Sequence, residues 1–253
     1  MAYVFFCIKR EALSFVKSMT KSLTPFLERD FLAYEKHLQD DSEYNGLRLS
    51  VRRKLKALAD EAKKQAKDLG YETDSAAGLH HPYAFNNFRV SEQRAYLCRS
   101  NKQRKKLKAF FGDALGKDAD THYIQTILEM SIDSQVLQVA LRIHPMAWWD
   151  GENLKKNVLE RGQSERWIEF LKALPPGFAL KMHDWRKMYW ATSANDQAMR
   201  EYFETYTPGD HWLHLVRELP KEDVLEMGND ACQWAITSTL SLLPAYQFIL
   251  WEP

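Results

Sequence analysis

Cysteine is scarce in this chain. Its three residues, Cys7, Cys98 and Cys232, are odd in number and widely spaced. That excludes a disulfide framework and a Cys-x-x-Cys metal pair, and reduced thiols in a cytoplasmic setting are expected. A cysteine nucleophile would need a neighbouring base and an electropositive setting, which spacing alone does not supply. Glycine and proline are sparse as well, ten and nine among 253 residues. Collagen-like repeats and flexible low-complexity linkers are therefore out. No uncharged apolar run approaches the roughly 18 residues that a bilayer crossing needs. The apolar run at residues 2–8 ends in Lys9-Arg10, with no charge before it and no small-residue cleavage site after it, so no secretory leader is expected. Also missing are Gly-x-x-x-x-Gly-Lys-Ser/Thr, Gly-x-Gly-x-x-Gly, Gly-x-Ser-x-Gly and His-Glu-x-x-His, and no good Asp…Glu-x-Lys set appears. Standard ATPases, dinucleotide dehydrogenases, serine hydrolases, zincin proteases and metal-dependent nucleases are disfavoured accordingly.

Net charge is nearly absent, 35 Lys and Arg against 34 Asp and Glu, but its distribution is uneven. Residues 1–110 hold 22 basic and 13 acidic side chains, and residues 111–253 hold 13 and 21. The molecule is expected to be polarised. Three amphipathic helices open the chain. Ala12, Phe15, Val16 and Met19 mark the first, and Leu27, Phe31, Tyr34 and Leu38 the second. Val51, Leu55, Leu58, Ala62, Ala66 and Leu69 mark the third, stopped by Gly70. Arg52, Arg53, Lys56, Lys63, Lys64 and Lys67 line the polar face of the third and read as a solvated face. Residues 71–82 read as a connection. Residues 83–90 and 94–98 read as strands, 102–111 as a basic helix, and 123–131 with 137–143 as a hairpin turned by Asp133-Ser134. Helices around Leu154, Trp167 and Met199 follow, with strands at 178–182 and 212–219. Asp150 is expected to cap a helix, as are Asn195 or Asp196 and Asp230. An apolar tail closes the chain at 246–251. The expected architecture is one α+β domain over 1–253: a helical N-terminal arm at 1–75, then a body at 76–253 with a mostly antiparallel sheet and packed helices.

Several local strings carry a resemblance. Glu11-Ala12-Leu13-Ser14-Phe15-Val16, Tyr34-Glu35-Lys36-His37-Leu38, Arg89-Val90-Ser91-Glu92-Gln93-Arg94 with Tyr96, the 123–143 hairpin with Trp149, and Leu215-Val216-Arg217-Glu218-Leu219-Pro220 are together similar to the YktB-like superfamily of α+β proteins. The chain departs from that pattern at Ser91-Glu92-Gln93-Arg94, which has less lysine, and at Gln138-Val139-Ala140, which has no glycine. The resemblance implies a fold and no activity.

The densest chemical signal is Arg99-Ser100-Asn101-Lys102-Gln103-Arg104-Lys105-Lys106-Leu107-Lys108, six basic residues in ten. Arg89 and Arg94 lie upstream, with Tyr83, Phe85, Phe88 and Tyr96 between. Cations neutralise phosphates and aromatic rings stack on exposed bases. The first reading is therefore a non-enzymatic protein that contacts nucleic acid or a phosphorylated ligand. Arg89, Arg94, Arg99, Lys102, Arg104 and Lys105 would supply charge, and Tyr96 a stacking face. The second is a protein-partner or homo-oligomer module using the aromatic-rich stretch 182–190, in a half of the chain that holds all eight tryptophans. The third is an enzyme on a small anionic substrate, with His80, His81, Glu129 or Asp150 in acid–base roles. His211-x-x-His214 has ligand-like spacing on a helix, but in a strand the two diverge. No metal, cofactor or membrane partner is expected.

Overall fold

The computed structural model describes residues 23–116, 124–182 and 185–253. The helix expected around Ala12 to Met19 lies outside them, as do Asp118, Tyr123, His183 and Asp184. The described chain enters through α1 (Glu28–Leu32) and the long α2 (Asn45–Asp68). Helix α1 is shorter than the Leu27 to Leu38 spacing predicts, because residues 33–41 continue as turns. Arg48 holds that run in place. Its side chain is fully buried and donates to the carbonyls of Ala33, Leu38 and Asp41 and to Asn45 Oδ1. A guanidinium removed from water needs such acceptors. Nearby, Lys54 Nζ lies 2.5 Å from the buried carboxylate of Asp30.

Helix α2 buries one stripe. Val51, Leu55, Leu58, Ala59, Ala62 and Ala66 are each at most 1% exposed. The helix ends where Gly70, at φ +87°, donates to Lys67 O and Tyr71 N reaches back to Ala66 O. This paired closure needs a left-handed residue, hence glycine. The chain then reverses along α2 as β1 (Thr73–Ala77), inside the stretch read from sequence as a connection. Thr-Asp-Ser-Ala-Ala has no large apolar residue to reveal it. Its ladder with the next strand and the flank of α2 hold it: Lys63 Nζ is 2.8 Å from Asp74 Oδ1, and Arg52 Nε donates to Gly78 O at 2.8 Å.

Strand β2 (Gln93–Arg99), helix α3 (Asn101–Gly116), and the hairpin β3 (Ile127–Ile132) and β4 (Val136–Ile143) come next. The hairpin forms as expected, with Asp133 Oδ1 accepting from Gln135 N and Val136 N. Residues 83–90 are not a strand. A single 3-10 turn at Ala84–Asn86 leads into Asn87 and Phe88, both left-handed at φ 52° and 56°. Helices α4 (Trp148–Leu159) and α5 (Ser164–Lys172), strands β5 (Ala179–Met182) and β6 (Tyr189–Trp190), helix α6 (Asp196–Thr205), strand β7 (Leu213–Pro220) and helices α7 (Lys221–Met227), α8 (Asn229–Ser241) and α9 (Leu243–Ile249) complete the order. Asn195 caps α6 through a 2.9 Å bond from Ala198 N. Asp230 makes no cap bond on α8, which starts from Gly228, and much of the expected apolar tail is α9.

The strands form one sheet in the order β1-β2-β3-β4-β7-β5-β6, every pairing antiparallel. Alternate positions face opposite sides. Ala95, Leu97, Leu128, Met130, Val139, Leu141 and Leu215 belong to one apolar cluster with α2, α5, α6, α8 and α9. The intervening positions carry Arg94, Glu129, Gln138, Arg142 and His214. Among the described residues no helix is long and apolar enough to cross a membrane.

One buried ion pair closes an end of the sheet. Arg99 Nη1 and Nη2 meet Asp150 Oδ2 and Oδ1 at 2.8 and 2.5 Å, with both side chains at most 2% exposed. Asp150 also accepts from Thr126 N, Thr126 Oγ1 and Trp251 N. It stands in the first turn of α4 and ties β2, the approach to β3 and the C-terminal residues together, instead of capping the helix. Asp150→Ala leaves a buried guanidinium without its partner and is expected to destabilise the fold by about 3–5 kcal/mol. Asp150→Leu combined with Arg99→Leu removes both charges and is expected to do less harm. Urea unfolding of the single and double variants checks this; a single-variant loss under about 1 kcal/mol would contradict it.

Candidate functional site

The basic segment singled out in the sequence does not act as one patch. Arg94 and Arg99 occupy β2 five residues apart, about 17 Å at a strand's rise, and on opposite faces. Arg99 is the inward partner of Asp150. Arg104 lies 3.1 Å from Asp74 and also donates to Cys98 Sγ and the Arg99 carbonyl. Tyr96 is 5% exposed and offers no open ring for stacking. Burial pushes its phenol up to about 12. Arg94 pairs with Glu92 and stands 3.6 Å from Glu129. Arg89, Lys102 and Lys105 are exposed, Arg89 ahead of β2 and the two lysines after it.

A different set of cations does meet. A hollow of about 530 Å³ opens between the C-terminal half of α2, the start of β1 and the start of α3. Lys63, Lys64 and Lys67 line it from α2, and Lys102 from α3. The register that sets Thr73 opposite Arg99 brings these two segments side by side. Ser100 follows β2 and caps α3 reciprocally: Ser100 Oγ accepts from Gln103 N, and Gln103 Oε1 from Ser100 N. Two of the hollow's acids are already engaged. Asp74 is bound by Lys63 and Arg104, and Asp60 by Lys56 and by Ser75 Oγ at 2.6 Å. Burial would raise both carboxyls, yet these cations and hydrogen bonds hold them below the usual range. Among the described residues, Lys64, Lys67 and Lys102 have no acidic partner, and Glu72 is the one lining acid without a cation. Lys64 and Lys67 are present in the sequence as a helical polar face. What the sequence hides is β1, the strand whose pairing brings them against Lys102.

The polar face of the sheet holds the other titratable cluster. Glu129 is fully buried, and neither oxygen has a well-aligned hydrogen bond. Arg142 Nη2 stands 3.1 Å from one oxygen and Arg94 Nη1 3.6 Å from the other. Burial alone would raise this carboxyl; Arg142, then Arg94, overcome it and keep it ionised. His214, opposite Arg142 on β7, is pushed down to about 3 by burial and by Arg142. His144 is pushed down to about 4 by burial and Arg142, and its Nδ1 accepts from Met146 N. At neutral pH the cluster is thus a carboxylate between two guanidiniums, flanked by neutral imidazoles.

The acid–base set considered from sequence is not assembled. Asp150 is saturated, Glu129 lies on the polar sheet face, and His80 and His81 lie in the β1–β2 connection, their rings edge-to-face at 5.0 Å. His211 precedes β7 and accepts from Thr207 N, so it does not join His214. Among the described residues no group of three His, Cys, Asp or Glu side chains could hold a metal ion. Cys98 and Cys232 are buried, and burial pushes both thiols up to about 11, away from nucleophilic use. No model of a known protein family matches the chain, and no curated protein matches it.

His214 gives the fold an acid-sensitive term. Its folded pKa is about 3 and its unfolded value about 6.5, so between them the unfolded chain binds the proton that the folded chain refuses. Stability therefore falls as pH drops from about 6.5 towards 3. Glu129 adds a loss at lower pH still, below the ordinary carboxylate range. His214→Gln removes the histidine term, and its loss of unfolding free energy between pH 7 and pH 4 should be smaller than wild type's by about 3 kcal/mol. Urea unfolding across that range measures it, and equal losses in both proteins would contradict the assignment.

Proposed function

We propose that this protein binds a phosphate-bearing ligand in the hollow between α2 and α3. The observation that carries the reading is the convergence there of three lysines, Lys64, Lys67 and Lys102, from two separate helices and without acidic partners among the described residues. A phosphate backbone neutralises cations gathered in one hollow and releases its own condensed counterions as it does so. The binding character expected from the sequence is retained, but its residues shift: of the seven named there, only Lys102 lines the hollow. Membership of the YktB-like group belongs to the same proposal and adds no activity to it.

A second reading is favoured by one observation. Trp185, Met188 and Trp190 are 36%, 43% and 49% exposed beside the short edge strand β6, which suits a protein partner. β6 and β1 are opposite edges of the sheet, so the two readings separate cleanly.

Fluorescence anisotropy with a single-stranded 12-mer tests the first. Three lysine–phosphate contacts give a log–log salt slope of about −2, or roughly a twenty-fold loss of affinity between 50 and 200 mM salt. Lys64→Glu with Lys102→Glu should abolish binding without altering the protein's mass in solution. Salt-independent binding, or unchanged affinity in the double variant, would remove the proposal.

A further inference from the structure

Beyond the hollow, the connection between β1 and β2 has an unusual surface. Residues 78–92 carry one acid, Glu92, which is paired with Arg94, and include Tyr83, Phe85 and Phe88. Tyr83 is 56% exposed and Phe88 62%. Phe88 stands at φ 56° directly after Asn87 at φ 52°. A bulky residue rarely takes that conformation, and it persists only where surrounding bonds impose it.

Those bonds are present. Tyr83 O accepts from Asn86 N at 3.0 Å and from Phe88 N at 2.9 Å, and Asn86 Oδ1 accepts from Tyr83 N at 2.7 Å. Asn86 Nδ2 donates to His81 O. Val90 N donates to Gln39 O, and Arg52 anchors Gly78. The loop is therefore tied to itself and to α2 while two aromatic rings face water. The surroundings are cationic: Arg53 and Arg89 are exposed and have no acidic partner among the described residues. His80 is held below the ordinary imidazole range by burial, then by His81 and Arg52, which marks the same positive field. Arg53 and Lys67 lie on one helix, about 21 Å apart at its rise per residue, so α2 connects this loop to the lysine hollow.

We infer that the loop is a stacking platform for unpaired nucleobases, and that the ligand whose phosphates occupy the hollow is single-stranded nucleic acid running along α2. Tyr83 and Phe88 contact base faces, which tolerate any sequence because every base has one, with Arg53 and Arg89 flanking them. This deepens the phosphate-binding reading and rests on it.

The test compares a single-stranded 12-mer with an abasic 12-mer of the same length, using the full chain. Wild type should bind the base-bearing strand at least about five-fold more tightly, since one stacked base is worth between about 5- and 150-fold. Tyr83→Ala and Phe88→Gly should each erase a factor in that range for the base-bearing strand. Neither should change abasic binding or the salt slope. Glycine accepts φ 56° without strain, so Phe88→Gly keeps the fold, and Phe88→Trp should restore binding. Equal wild-type affinity for both strands overturns the platform and leaves the phosphate site standing. Binding to neither overturns both. A loss of abasic binding in Phe88→Gly equal to its loss for the base-bearing strand also overturns the platform.

Discussion

Burial of one stripe of α2 sets the rotation of that helix, and the candidate site depends on it. Val51, Leu55 and Leu58, at about 1.5–3 kcal/mol each when fully buried, and the alanines that let the helix lie close, leave no other apolar face to turn inward. Once that stripe faces β1, β2 and α8, the cations between its positions must project along the exposed edge of β1. Some become latches: Arg52 on Gly78, Lys56 on Ser75, Lys63 on Asp74. Lysines on an edge strand's border also discourage pairing with another chain. Lys64 and Lys67, left without an acidic partner, line the hollow with Lys102, while Arg53, also without one, lies nearer the start of the helix.

Basic residues in this molecule divide into two populations that composition cannot separate. Arg48, Arg99 and Arg104 are engaged by carbonyls and carboxylates inside the fold, where the planar five-donor guanidinium suits them. Lys64, Lys67, Lys102 and Lys105 have no acidic partner among the described residues. A dense run such as residues 99–108 therefore mixes structural arginines with solvent-facing lysines, and density along the chain overstates convergence in space.

The elements legible in the sequence are those with long or strict periodicity: α2, the β3–β4 hairpin, α5, α6 and β7. Strand β1 is illegible because its five residues are small or polar and its stability comes from its neighbours. Residues 83–90 mislead in the opposite direction, since aromatic content mimics a strand while Asn87-Phe88 makes a left-handed turn. Asp150 follows a helix-start pattern, yet its role depends on Arg99, which periodicity never relates to it. The hollow is illegible for the same reason: it exists only through the register of β1 on β2. Glu129 is visible as a lone acid in an apolar strand, and the two arginines that hold it ionised come from neighbouring strands.

The most direct test of the account is lysine acylation read by mass spectrometry, with and without a saturating single-stranded oligonucleotide. Protection of Lys64, Lys67 and Lys102 is expected, with no change at Lys172 on α5. Protection spread evenly over all surface lysines, or its absence at those three, would contradict it.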